Sequence, residues 1–223
     1  MRDQAAGSTQ AKRPPMRIAL ILAAVTVAAC DNNPTKNSTK ATVNEPVATA
    51  SQAATSANAV VYTFSNEGSK VAFVGAKVTG KHEGGFGKFT GTVKIIDNDV
   101  AKSTVSVDIE ATSLFADQEK LTTHLKSADF FDVEKFSKAS FVSTQIKAGG
   151  DKGATHTVIG NLTLHGVTKS ISFPASIKKV ETGVEADADF GINRKDFGIA
   201  YAGKADDLIK DDVLIKLTVR TKK

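Results

Sequence analysis

Residues 104–110 read Thr-Val-Ser-Val-Asp-Ile-Glu, and this alternation of polar and apolar side chains decides the fold class. A period of two places the apolar side chains on one face of a β-strand and the polar ones on the other. The same period returns at residues 171–178, 184–192 and 213–219. The sequence therefore predicts several strands that each bury one face.

Further strands are predicted around these segments, at residues 60–64, 71–78, 89–96, 139–147 and 155–164. Turns rich in Gly, Asp and Asn separate them, which favours antiparallel hairpins. Eight or nine strands that share an apolar face must close that face, so the pattern predicts an all-β barrel or sandwich. A barrel of about eight strands is either filled by side chains or holds one small ligand.

Residues 116–136 interrupt the β pattern with helical spacing. Leu121, Leu125 and Ala128 recur on one face, and Asp117 is a plausible N-cap. We expect one short helical insertion, either across an open end of the barrel or along its flank.

The N-terminal 29 residues are predicted to be a lipoprotein signal peptide. Basic residues precede an apolar run at residues 18–28, which is shorter than the roughly 20 residues of a membrane span and typical of an export signal. Val27-Ala28-Ala29-Cys30 resembles a lipobox, and Cys30 is the only cysteine of the chain. Lipidation is therefore predicted at Cys30, with either Met1 or Met16 as the start.

Residues 30–59 are predicted to be a lipid-anchored flexible tether, and residues 60–223 the barrel domain. From Asp31 to Ala59 the chain has no Leu, Ile or aromatic residue, so it buries too little apolar surface to offset the entropy of ordering. As a random coil it would span roughly 30 Å. We expect a cell-envelope protein that is lipid-anchored to a membrane with its domain in the periplasm.

The charge of the chain does not indicate a nucleic-acid partner. Its formal charge is +5, of which residues 1–29 hold four basic groups and one acidic group, so +2 remains after cleavage. No run of Lys and Arg with interleaved aromatic residues remains, which argues against nucleic-acid binding.

Four ordered motifs resemble one family. They are residues 82–86 (His-Glu-Gly-Gly-Phe), 124–136 (with Asp-Phe-Phe-Asp-Val at 129–133), 160–169 and 192–198. From Val60 to the C-terminus the chain is similar to the YceI family of lipocalin-like, polyisoprenoid-binding proteins. The resemblance implies an extended antiparallel barrel whose hydrophobic channel takes a long isoprenoid chain, such as a polyprenyl or quinone tail, without catalysis. Many members are soluble and periplasmic, and the lipobox and tether set this chain apart.

Inward apolar side chains are the predicted ligand-binding residues, and small inward residues such as Gly160, Ala175 and Ala188 favour a hollow interior. A polar head group would meet His124, Arg194 or Asp196 at the mouth. Because any β domain has an inward apolar set, the alternative is a filled barrel that serves as an envelope interaction module. A homodimer is compatible with either. The predicted channel or lid residues are Phe73, Phe86, Phe89, Val105, Val107, Leu125, Phe130, Phe131, Phe141, Leu162, Leu164, Phe173 and Phe190.

The sequence predicts no enzyme, no cofactor and no metal site. The four histidines are scattered without zinc-ligand spacing. Asp129 and Asp132 are expected to form turn hydrogen bonds, and the acidic pairs at residues 206–207 and 211–212 lack the spacing of a calcium loop. No Gly-x-Ser-x-Gly motif is present, so an ester hydrolase built from distant strands is the weaker alternative.

Overall fold

The structure is a computed structural model that describes residues 32–48 and 58–222, so the predictions for the signal peptide and Cys30 lie outside the described residues. Within these ranges the chain forms one α-helix, α1 (Glu119–Lys126), and fifteen β-strands. The strands are β1 (Thr39–Lys40), β2 (Thr42–Asn44), β3 (Ala59–Ser65), β4 (Lys70–Lys77), β5 (Gly80–Phe86), β6 (Phe89–Ile96), β7 (Asp99–Glu110), β8 (Leu114–Ala116), β9 (Lys138–Ala148), β10 (His156–Leu164), β11 (Val167–Val180), β12 (Gly183–Asn193), β13 (Gly203–Lys204), β14 (Asp207–Leu208) and β15 (Asp212–Arg220).

Eight of the described strands form an antiparallel ring in the order β3-β6-β7-β9-β10-β11-β12-β15. Thr63 of β3 closes the ring with Lys222, just after β15. Each N–H donates to the carbonyl oxygen of the other residue, at 2.9 and 2.7 Å. The predicted all-β, barrel-like antiparallel fold is confirmed, with more strands than the eight expected. Among the described strands, β1, β2, β4, β5 and β8 join the same sheet, and β13 and β14 form a separate two-stranded sheet.

The sheet forks at β15. Leu214 to Thr218 of β15 pair with β4, whereas the chain after Arg220 reaches β3. β4, β5 and β8 therefore leave the ring as a three-stranded flap. The flap carries α1, which packs on β8, and together they cover one end of the barrel.

Residues 32–48, which we name the strap, lie on the barrel wall, so the prediction of a flexible tether is wrong for this stretch. β1 pairs in parallel with β12 at Phe190 and Gly191. β2 pairs antiparallel with β11 from Ser170 to Ser172. Of the remainder of the predicted tether, residues 30–31 and 49–57 lie outside the described residues, and residues 58–59 lead into β3.

The strap fills a gap in the wall between β11 and β12. These two strands pair directly only over Ser176–Val180 and Gly183–Asp187. Pro174 stands where this pairing ends, as expected for a residue that cannot donate to a sheet ladder. Ala41 and Val43 pack into the barrel core beneath the gap. The sequence did not predict these strands, because an alternation of only two apolar residues cannot be recognised within a polar stretch.

The helix is shorter than predicted, and Asp117 is not its N-cap. The cap position is Gln118, whose side chain makes no capping hydrogen bond. The Asp117 carboxylate instead lies 3.0 Å from Nδ1 of His82 and accepts from the backbone N–H of Glu83 at 3.3 Å. After Lys126 the chain continues in turns, in which Phe131 N–H donates to the Leu125 carbonyl oxygen at 3.0 Å.

Two apolar clusters occupy the barrel interior, one around Phe64 and Phe89 and one around Phe173 and Phe190. The rings of Phe173 and Phe190 stack with centroids 4.1 Å apart. Gly160 does not leave a void, because a Cβ there would stand 2.4 Å from the Phe141 ring. The Phe141 ring therefore occupies the space beside this glycine.

Candidate functional site

An apolar cavity of about 400 Å³ lies at the end of the barrel that the flap and α1 cover. It is bounded by β4 and β5, by α1 and the turn after it, by the ends of β12 and β15, and by the segment of residues 199–210. Its volume falls within the range of small-molecule sites, about 300–1,000 Å³.

Three phenylalanines form one wall of the cavity. The ring centroids of Phe73 and Phe86 are 6.3 Å apart, and those of Phe86 and Phe131 are 5.9 Å apart with the rings nearly perpendicular. Such tilted contacts are favourable for aromatic pairs. The Phe73 ring crosses Gly84, its partner on β5, where a Cβ would stand 2.4 Å from ring atom Cζ. The wall therefore requires glycine at position 84.

Gly75 leaves the neighbouring part of the same wall open. It follows Phe73 by two residues on β4 and lines the cavity, and strand alternation places both on one face. A Cβ built at Gly75 would meet no atom within 4 Å. This position can therefore carry a larger side chain directed into the cavity.

The segment of residues 199–210 forms the roof and contributes Ile199, Tyr201 and Ile209 to the cavity. Arg194, only 5% exposed, holds this roof in place. Its Nη1 donates to the Ile199 carbonyl oxygen at 2.7 Å and its Nε to that of Lys210 at 3.1 Å. Burial lowers the pKa of Arg194, and the Asp211 carboxylate, 3.1 Å from Nη2, partly opposes this shift.

Polar side chains at the rim are paired with one another. His124 Nε2 lies 2.8 Å from Asp129 Oδ2, and its ring meets Tyr201 edge-on at 5.2 Å. Across the mouth, Lys77 Nζ donates to Asp207 Oδ2 at 2.6 Å. This hydrogen bond holds the pKa of Asp207 below its ordinary value, and the hydrogen bonds from Thr79 lower the pKa further by a smaller amount. The site thus has an apolar interior and a polar, internally bonded mouth.

Of the thirteen predicted channel or lid residues, six line the cavity: Phe73, Phe86, Leu125, Phe130, Phe131 and Leu164. The other seven pack in the interior clusters: Phe89, Val105 and Val107 in one, and Phe141, Leu162, Phe173 and Phe190 in the other. Alternation identified side chains that point inward. It did not distinguish those that face open space from those that meet another side chain.

The structure separates the three predicted head-group residues. His124 and Arg194 line the cavity, whereas Asp196 does not. Arg194 directs its guanidinium at backbone carbonyls and Asp211, so it supports the roof. His124 is therefore the member of the three that stands at the mouth with its side chain 40% exposed.

Several cavity residues were missed by sequence reasoning. Ile199, Tyr201 and Ile209 lie in a segment with no two- or four-residue period, because its shape is set by the Arg194 hydrogen bonds. The one sequence signal is a large apolar or aromatic residue at each of these positions, in a stretch whose other residues, apart from Leu208, are small or charged.

Three of the four aspartates at residues 206–207 and 211–212 are used in ion pairs. Asp207 binds Lys77, Asp211 binds Arg194 and Lys195, and Asp212 lies within ion-pair distance of Lys40. Over residues 32–48 and 58–222 no group of three or more His, Cys, Asp or Glu is placed to hold a metal ion.

A closed antiparallel barrel with an apolar cavity at one end defines a binding protein of the lipocalin-like class. The chain belongs to the YceI family: the sequence model of the YceI-like domain matches residues 62–221, which confirms the resemblance read from the four motifs. The YceI family is a binding-type family.

Curated relatives carry the same domain over most of their length. A UPF0312 protein of Pseudomonas putida strain F1 is 36% identical over 181 residues, covering 75% of this chain and 91% of the relative. A UPF0312 protein of Pseudomonas syringae pv. tomato is 35% identical over 178 residues, covering 74% and 90%.

Solved structures share the fold. BcnA of Burkholderia cenocepacia superposes with a TM-score of 0.60 at 22% identity, covering 70% of this chain and 97% of BcnA. A polyisoprenoid-binding domain from Saccharophagus degradans gives a TM-score of 0.57 at 15% identity, covering 73% and 97%. At these identities the likeness supports the architecture alone. No helix in the described part of the chain is long and apolar enough to cross a membrane.

Proposed function

We propose that the protein binds the apolar tail of an isoprenoid-type lipid, such as a polyprenyl or quinone tail, in the end cavity. The observation that carries this proposal is the cavity itself, with its aromatic wall and its paired polar mouth. The binding of a polyisoprenoid by the similar domain of Saccharophagus degradans supports the class of ligand. A cavity of about 400 Å³ argues against the alternative of a filled interaction module.

The cavity suits a tail without polar groups. Among the described residues, no buried side-chain nitrogen or oxygen is left without a hydrogen-bond partner. Affinity would therefore come from burial of apolar area, at roughly 25 cal/mol per Å². We expect loose selection among tails, with a polar head group held near His124 at the mouth.

We further propose that the protein acts in the cell envelope, anchored to a membrane through a lipidated Cys30. The lipobox supports this location. The anchor and the bound lipid are separate: a Cys30→Ala protein should leave the membrane fraction and keep its lipid uptake.

The test is lipid extraction and mass spectrometry of the purified full-length protein, with titration of a fluorescent polyprenyl analogue. Gly75→Leu fills open space in the cavity, whereas Gly80→Leu, at a position equally free of neighbours, lies outside it. Displacing about two methylene groups costs roughly 1.6 kcal/mol, which corresponds to about tenfold weaker binding. We expect this loss for Gly75→Leu and wild-type uptake for Gly80→Leu.

Two results would overturn the proposal. One is a protein that carries no co-purifying lipid and shows no saturable uptake. The other is equal uptake by the Gly75→Leu and Gly80→Leu proteins, which would place any bound lipid outside the end cavity.

A further inference from the structure

The first described residue of the strap is fixed at the cavity end of the barrel. Asn32 Nδ2 donates to the carbonyl oxygen of Val78, in the turn between β4 and β5, at 2.8 Å. Three residues later, Thr35 is 4% exposed and packs closely on Gly191. A Cβ built on Gly191 would stand 2.7 Å from Cγ2 of Thr35. The strap thus begins beside the mouth of the cavity.

Cys30 precedes Asn32 by two residues. Successive Cα atoms are 3.8 Å apart, so the Cα atom of Cys30 lies at most about 8 Å from that of Asn32. A lipid on Cys30 would therefore hold the turn at Val78 close to the bilayer surface. A free tether of residues 30–59 would separate the domain from the membrane by roughly 30 Å. Because Asn32 is already held on the barrel, the anchor would keep the domain much closer to the membrane.

We propose that the anchored protein docks on the membrane with the mouth of its cavity facing the bilayer, and that Val78 and Leu208 are the side chains that contact the lipid surface. This proposal rests on the proposed lipidation of Cys30 and gives the lipid-binding function an orientation. The partner that contacts this surface is the membrane in which the lipid on Cys30 is inserted.

The surface at this position fits a bilayer. Val78 is 54% exposed and Leu208 49% exposed, and they are neighbours, because Val78 N–H donates to the Leu208 carbonyl oxygen at 3.1 Å. Exposed Lys81 follows Val78 by three residues, and exposed Lys204 pairs with Asp207, the residue before Leu208. Lysine side chains can extend toward lipid head groups while their stems stay in apolar contact. An apolar pair with lysines at its edge is suited to the membrane interface.

The docking surface and the cavity mouth share residues. Lys77 and Asp207 line the cavity and directly precede Val78 and Leu208 in the chain. Lys204, which also lines the cavity, pairs with Asp207 across β13 and β14. An isoprenoid tail that leaves the bilayer at this point would enter the cavity without crossing bulk water, where exposure of each methylene group costs about 0.8 kcal/mol. The orientation therefore shortens the aqueous path of the ligand.

The experiment uses the full-length lipidated protein in vesicles of phosphatidylethanolamine and phosphatidylglycerol. Since Cys30 is the only natural cysteine and its sulphur is blocked by the lipid, an introduced cysteine is the single free thiol. A fluorophore is attached in turn at Leu208→Cys and at Thr182→Cys, an exposed position in the turn at the far end of β11. Quenching by spin-labelled lipids in the bilayer is then measured.

We expect several-fold stronger quenching at Leu208→Cys than at Thr182→Cys. A flexible Gly/Ser insertion between Asp31 and Asn32 should reduce the quenching at Leu208→Cys, because it lengthens the link to the anchor. Equal quenching at the two positions, or stronger quenching at Thr182→Cys, would overturn the orientation. So would a protein that stays out of the membrane fraction for lack of lipid on Cys30.

Failure of the docking proposal is distinguishable from failure of the lipid-binding function. The Cys30→Ala protein is assayed separately for uptake of the fluorescent polyprenyl analogue in solution. Normal uptake together with equal quenching leaves the cavity function standing and refutes the docking surface. Strong quenching at Leu208→Cys in a protein that shows no uptake supports the docking surface and refutes the cavity function.

Discussion

The side-chain amide of Asn161 in β10 binds the backbone of Val47 through two hydrogen bonds. Its Nδ2 donates to the Val47 carbonyl oxygen at 2.6 Å, and its Oδ1 accepts from the Val47 N–H at 3.1 Å. These residues are 114 positions apart in the sequence. The end of the strap is therefore tied to the barrel wall at one defined point.

Asn161→Ala should release the C-terminal end of the strap. Loss of two exposed hydrogen bonds should lower the free energy of unfolding by about 1 kcal/mol and expose residues 44–48 to proteases. Urea denaturation and limited proteolysis measure the two effects. Asn66→Ala, in the exposed turn between β3 and β4, is the matched control and should change neither. Unchanged protease resistance in Asn161→Ala would show that β1 and β2 alone fix the strap.

Arg194→Met should loosen the roof of the cavity. The substitution leaves the carbonyl oxygens of Ile199 and Lys210 without their donors, at an expected cost of about 3 kcal/mol. Guanidinium chloride denaturation measures the cost, and polyprenyl uptake should weaken with it. Lys195→Met removes only an exposed ion pair with Asp211 and should cost less than about 1 kcal/mol. Similar losses in the two variants would contradict the role given to Arg194.

The contact between Asp207 and Thr79 should weaken in acid. Because the pKa of Asp207 is lowered, its carboxylate stabilises the fold above the ordinary aspartate pKa of about 3.9, and this contribution is lost as the pH falls through the lower folded pKa. We therefore expect the Thr79 amide, which donates to Asp207 Oδ1, to lose protection from hydrogen exchange below about pH 4.

Asp207→Asn is the control for this pH dependence and should show no such step. The His156 pKa is also lowered, chiefly by burial, so His156 destabilises the fold when it gains a proton below its ordinary value of about 6.5. The His156 window opens at about pH 6.5 and the Asp207 window at about pH 4. A loss of Thr79 protection below about pH 4 that persists in Asp207→Asn would assign the step to another carboxylate.

Gly91→Ala should destabilise the barrel, whereas Gly75→Ala should not. A Cβ at Gly91 would stand 2.1 Å from the ring of Phe64, which is 5% exposed, and overpacking of this kind costs about 2 kcal/mol. At Gly75 the Cβ enters open space, and the less flexible unfolded chain should add about 0.5 kcal/mol of stability. Urea denaturation of both variants measures the difference. Equal stabilities would mean that Phe64 moves aside freely.

The sequence predicted the ring strands well because each buries one face. Residues 104–110 and residues 213–219 each alternate for seven positions. The first segment lies in β7 and the second in β15. In β4 the alternation is weak, because Val74 and Ala76 are buried on one face while Phe73 lines the cavity on the other. β1 and β2 escaped prediction because they are only two and three residues long, too short for an alternation to be recognised.

The site was harder to predict than the fold. Whether an inward residue faces a cavity depends on what packs opposite it, and that depends on tertiary structure. Phe131 and Phe173 both point inward, yet one meets the open cavity and the other stacks on Phe190. The roof residue Ile199 is positioned by Arg194, through hydrogen bonds between side chain and backbone that no periodic pattern reports.

The pairing of Thr63 with Lys222 also determines when folding can finish. The first strand of the ring finds its closing partner only at Lys222, after all the other strands of the ring, so β3 remains an open sheet edge until the chain as far as Lys222 has been synthesised. Open edges invite pairing with other chains, and domains built from distant contacts fold in milliseconds to seconds. The newly synthesised chain therefore passes through an interval in which β3, the first strand of the ring, needs protection from aggregation.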